Sequence, residues 1–161
     1  MNKYFIISIF TLLTLLCHKA EAFWNPFDYI HFAKPGSTDI SRYSEVKNTV
    51  DGLISAYESR NISSFMRFVS EEYTNDEDIL ESNIRNDFHK YSFIRINYVI
   101  NNIIPDNRGK YSVSINFTRQ LEDRKTGEIT SRTGTSELLL KEEDGSYKLY
   151  SMRRQRLFGI N

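Results

Sequence analysis

Tyr111-Ser112-Val113-Ser114-Ile115-Asn116-Phe117 alternates large apolar with small polar side chains without a break. Successive side chains of a strand point to opposite faces, so this period of two predicts a strand with one face buried and one wet. On its N-terminal side Ile94, Ile96, Tyr98 and Ile100 alternate with Arg95, Asn97 and Asn101, and Pro105-Asp106-Asn107-Arg108-Gly109 supplies the turn between the two strands. On the other side Lys125-Thr126-Gly127 turns the chain into a third strand that ends in Leu138-Leu139-Leu140. Asp144-Gly145 is a hairpin signal, and Tyr147-Lys148-Leu149-Tyr150 opens a fourth strand.

Upstream of Tyr91 the period is 3.6. Tyr43, Val46, Val50, Leu53, Ile54 and Tyr57 fall on one face of a helix expected over about 41–60, capped by Ser41 or Asp39. Asn61 caps a shorter second helix presenting Phe65, Phe68 and Val69. Thr74 and Glu77 fit a reciprocal capping box for a third, whose stripe is Leu80, Ile84, Phe88 and Tyr91. Six acids, Glu71, Glu72, Asp76, Glu77, Asp78 and Glu81, gather near that start, where a helix's positive end favours them without any metal. Three helices followed by a four-stranded antiparallel meander make an α+β domain.

The chain has 161 residues, and residues 1–22 carry one lysine near the start, an apolar run from Tyr4 to Cys17 and a small-x-small site at Ala20-Glu21-Ala22. That is an export signal, with the mature start expected at Phe23 and the protein placed in the periplasm of a Gram-negative bacterium or otherwise secreted. The run is short of the roughly 20 apolar residues of a bilayer span, and no second one follows, so no transmembrane segment is expected in the mature chain. The only cysteine, Cys17, lies inside the signal, and a lipidated Cys17 is the alternative, with bulky Leu16 against it. Without a cysteine the mature chain has no disulfide, thiolate nucleophile or cysteine-bearing metal site. Removing Lys3, Lys19 and Glu21 with the signal leaves 19 basic and 20 acidic residues, a net −1, which gives no general pull on nucleic acid. Residues 23–37 hold five aromatics and two prolines, and the arm assigned to 23–40 is expected to dock its rings on the domain or to meet a partner of the envelope. The domain proper is expected over 41–161.

Three segments match a known family group: Ser55-Ala56-Tyr57-Glu58-Ser59-Arg60-Asn61 closing the first helix, Phe68-Val69-Ser70-Glu71-Glu72-Tyr73, and Glu143-Asp144-Gly145-Ser146-Tyr147-Lys148-Leu149. Together with the element order they resemble the NTF2-like superfamily, which includes SnoaL-type cyclases and ketosteroid isomerase. The last is similar to that family's acidic-Gly-x-Trp-Lys-Leu ending, with Tyr147 in place of tryptophan. The resemblance covers about 41–157. It implies a strongly curved four-stranded sheet wrapped round the long helix as a cone, a pocket at the open end, and frequent homodimers through the sheet. The polar face of Ser112, Ser114, Asn116 and Thr118 suits such a dimer.

Chemistry is sparse. His31 and His89 are the mature chain's only histidines, with no H-E-x-x-H pair, G-x-S-x-G elbow or glycine-rich phosphate loop, so no metal or cofactor is expected. An isomerase-like reading needs a pocket carboxylate beside a tyrosine. Asp51 lies off the stripe and Glu137 is turned outward by the phase of Leu138 and Leu140, so no catalytic residue is assigned. Arg119 shares the phase of Tyr111 through Phe117, Arg132 that of Leu138 and Leu140, and Arg153 that of Leu149. Three guanidinium groups on an apolar face need a carboxylate, a ligand or the rim of the cone. The expected ligand site is therefore Tyr57, Phe88, Tyr98 and Phe117 as lining with Arg119, Arg132 or Arg153 at the mouth. The reading favoured is an exported noncatalytic module binding a small ligand or a protein. Its alternatives are an acid–base isomerase, cyclase or dehydratase on a hydrophobic substrate, and a structural subunit of an envelope assembly.

Overall fold

The computed structural model describes residues 37–106 and 108–160. The export signal, Cys17, His31 and the aromatic residues of the arm lie outside the described residues. Helix α1 spans Ser37–Glu58. It starts four residues before the expected Ser41, at Ser37. Its stripe is as the period indicated: Val46, Val50, Leu53 and Tyr57 have no exposed surface. Helix α2 is Ile62–Met66, with the Asn61 side chain accepting the Ser64 N–H at 2.9 Å. Helix α3 is Glu77–Lys90. Its cap is Asp76, whose carboxylate accepts from the N–H of Asp78 and Ile79. The Thr74–Glu77 box does not form, because Thr74 is drawn to the sheet: its N–H donates to the Tyr150 carbonyl and its hydroxyl to Ser151 at 2.9 Å.

Strands β1 (Tyr91–Pro105), β2 (Lys110–Asp123), β3 (Ile129–Glu143) and β4 (Ser146–Arg154) form an antiparallel sheet in the order β1-β2-β3-β4. Asp144 and Gly145 both have positive φ, 52° and 74°, the conformation a two-residue hairpin loop requires. Along β2 every odd residue from Tyr111 to Leu121 is buried. The sheet is curved and unclosed, with register shifts between Ile100 and Asn102 of β1 and between Leu139 and Leu140 opposite β4. An extra residue bends a strand and increases its twist. The β4 edge is covered by the segment after α2: Leu149 N–H donates to the Phe68 carbonyl at 2.7 Å, and Ser70 N–H to the Leu149 carbonyl at 3.0 Å. That single bridge covers the middle of the β4 edge.

Tyr147, where the family ending carries tryptophan, packs edge-on against Tyr111 with centroids 5.2 Å apart. Burial pushes its hydroxyl pKa up to about 12. After Arg154 (φ 64°) the chain leaves the sheet, and past the exposed Gln155 and Arg156 residues 157–160 turn back against the core. Leu157 and Phe158 there are 0 % exposed.

Candidate functional site

The deep end of the cone is built by α1, α3 and β2. Tyr57, the last inward aromatic of α1, donates its hydroxyl to Asp87 Oδ2 at 2.6 Å. Asp87 is fully buried on α3, and the same oxygen accepts the Ile160 N–H at 3.0 Å. Burial raises the Tyr57 hydroxyl pKa well above its ordinary value and the Asp87 charge adds to it, so the hydroxyl keeps its proton and donates. Arg119, 3 % exposed, donates through Nη1 to the carbonyls of Arg156 at 3.2 Å and Leu157 at 2.9 Å. Its Nε has no hydrogen-bond partner. Burial lowers the Arg119 pKa, while the neighbouring Tyr57 and Asp87 oppose that shift.

The cone is filled. Phe158 stands edge-on to Tyr57 and Phe65 with centroids at 5.2 and 5.0 Å, and Phe88 lies 5.5 Å from Tyr57. The buried Asp87 is therefore sealed from solvent by the chain's own residues. Open space remains at the wide end, in a cavity of about 430 Å³ walled by Lys90, Tyr91, Arg119, Leu121 and Arg132, with Ile160 at its side. Asp123, Thr126, Glu128 and Thr130 complete the lining. Asp123 spends one oxygen on the N–H groups of Lys125 and Thr126, which draws its pKa below the ordinary carboxyl value.

The residues singled out in the sequence fall into three places. Tyr57, Phe88 and Arg119 come together at the deep end. Tyr98 and Phe117 pair across β1 and β2, with the Tyr98 hydroxyl donating to Asp51. Arg132, the cross-strand partner of Arg119, is exposed at the cavity mouth, and its side chain makes no hydrogen bond or ion pair among the described residues. Arg153 does not keep the inward phase expected of it. The register shift at Tyr150 turns Met152 inward opposite Leu138 and Arg153 outward opposite Glu137. Glu137 is on the outer face as expected, accepting from Ser112 at 2.7 Å. Asp87 and residues 157–160 were not singled out. Asp87 carries a legible signal, since it follows Leu80 by seven and Ile84 by three and so lies on the apolar stripe of α3.

Among the described residues no group of three or more His, Cys, Asp or Glu could hold a metal ion. No helix among them is long and apolar enough to cross a membrane. No protein-family model matches the chain, and no curated protein matches it in sequence. Solved structures do match in fold. A scytalone dehydratase-like protein from Novosphingobium aromaticivorans superposes with a TM-score of 0.62 at 10% identity, covering 71% of this chain and 83% of its own. A ketosteroid isomerase-like protein from Erwinia carotovora atroseptica gives 0.59 at 13%, covering 68% and 91%. The association domain of C. elegans CaMKII gives 0.54 at 11%, covering 71% and 95%. Helices packed on a curved, unclosed four-stranded antiparallel sheet, shared with these structures across most of their length, make the fold of this chain the NTF2-like α+β cone.

Proposed function

We propose that the chain is an exported, noncatalytic binding module whose cone mouth takes a small molecule bearing an anionic group. The observation that carries this reading is the division of the cone: its deep end is closed by Phe158, while the mouth keeps a cavity of about 430 Å³ beside Arg132 and Arg119. That volume lies in the range of small-ligand sites. Arg132 offers a guanidinium fork without a partner, the group best matched to a carboxylate or phosphate, and Tyr91, Leu121 and Ile160 supply an apolar wall. The export signal of residues 1–22 supports a site of action outside the cytoplasm.

The rival reading, an acid–base enzyme, draws on the Tyr57–Asp87 hydrogen bond and on the enzyme names carried by similar folds. Fold alone does not transfer chemistry. A general base must reach a substrate proton, and Asp87 has no exposed surface. A homodimer through the outer sheet face belongs to the same reading. Beside the polar Ser112, Ser114 and Asn116, that face exposes Val99 (65 %) and Ile104 (55 %), and one similar fold is named an association domain.

Native mass spectrometry of protein from its own host tests the proposal. An anionic ligand retained by the wild type and lost from Arg132→Ala is the expected result. Ligand-free wild type that instead carries a stoichiometric protein partner contradicts it.

A further inference from the structure

Residues 157–160 are held in the cone as a bound peptide is held. The segment lies outside the helices and the sheet, yet Leu157 and Phe158 are 0 % exposed. The Phe158 ring sits among Tyr57, Phe65 and the adjoining Phe88. Its main chain is gripped by charged side chains of the wall: Arg119 donates to the carbonyls of Arg156 and Leu157, and Asp87 accepts the Ile160 N–H. Gly159, at φ +61°, lets the backbone pass α3 so closely that a Cβ would lie 3.1 Å from Asn83 Cβ. If the interior only needed filling, aliphatic walls would do it at less cost than a buried guanidinium and carboxylate. Charged groups aimed at main-chain carbonyls and an N–H match the recognition of a peptide. The fit is also incomplete, since Arg119 Nε is left without an acceptor.

We propose that the deep end of the cone is a peptide-binding site, occupied in cis by Leu157–Ile160 and able to take in trans a peptide of the same chemistry. That peptide presents an aromatic residue to Tyr57, Phe65 and Phe88. It offers the two preceding carbonyls to Arg119 and, two residues further on, an N–H to Asp87. This site adjoins the mouth cavity and shares Arg119 and Ile160 with its lining, while the ring position among Tyr57, Phe65 and Phe88 lies outside that lining.

The test uses the full chain and a fluorescein-labelled peptide of sequence Gln-Arg-Leu-Phe-Gly-Ile, followed by anisotropy. Phe158→Ala, which empties the ring position, is expected to bind the peptide at least tenfold more tightly than the wild type does. Adding Arg119→Ala is expected to cost that gain. A Phe158→Ala protein that melts cooperatively and binds no better than wild type overturns the proposal. So does a mixed dimer of Phe158→Ala with wild type in place of peptide capture, which would assign the site to exchange between copies. Where Phe158→Ala does not fold, hydrogen exchange on the wild type decides. Release of the segment by local opening makes the Ile160 amide exchange at least tenfold faster than that of Ile115, and equal rates overturn the proposal.

Discussion

Asp123 holds the β2–β3 turn by accepting the N–H groups of Lys125 and Thr126 at 2.8 and 3.1 Å. These bonds favour the charged form and depress its pKa in the folded chain. Its stabilising contribution is therefore complete above the unfolded value of about 3.9 and is lost as pH falls through the lower folded value. Thermal melts of wild type and Asp123→Ala should differ at neutral pH and converge toward about pH 2; a gap that persists in acid would contradict the assignment. Tyr57 makes a different case, because its partner carboxylate is buried. Tyr57→Phe leaves Asp87 with one donor fewer and is expected to lower stability by about 1.5–3 kcal/mol, read from urea unfolding. Arg132→Ala, at an exposed guanidinium without a partner, should change stability by less than about 0.5 kcal/mol. A larger loss would mean that Arg132 supports the fold rather than serving a ligand.

At the scale of elements, β2 was legible residue by residue because an unbroken alternation leaves one choice of inward face, and Arg119 was legible as an interior cation from the same phase. Arg153 was not. A bulge inverts the phase of everything after it, and nothing in Tyr147-Lys148-Leu149-Tyr150 marks Tyr150 as the extra residue. Residues 155–160 have no period at all, since contacts with Arg119 and Asp87, distant in sequence, hold them rather than a ladder of their own. Gly52, silent in the sequence, is the point where α1 admits Phe68: a Cβ there would lie 2.4 Å from the ring's Cζ. Gly52→Ala gains about 1 kcal/mol of helix propensity. It must also push back the residue whose carbonyl pairs with β4, and overpacking of this kind costs about 1–3 kcal/mol. The variant should therefore melt below the wild type; a rise in Tm would show that Phe68 moves freely.

At the scale of the molecule, the fold resembles those of proteins named for isomerase- and dehydratase-like activities, while the interior is closed by the chain's own residues. What can vary within one cone is whether the deep end is open, filled or exchangeable, and that depends on a few side chains rather than on the sheet. The outer face of Val99, Ile104 and Asn116 gives an independent expectation. Light scattering over a concentration series should approach twice the chain mass, and a constant monomer mass at high micromolar concentration would remove the sheet dimer. The proposed binding site at the mouth lies beside an interior closed by Phe158. Amide shifts recorded while benzoate, phenyl phosphate and octanoate are titrated in turn test it most directly. Saturable shifts with at least one of them, clustered at Lys90, Thr130, Arg132 and Ile160 and abolished by Arg132→Ala, are the expected result. No saturable shift with any of the three, or shifts centred on Val99 and Asn116, would contradict the claim.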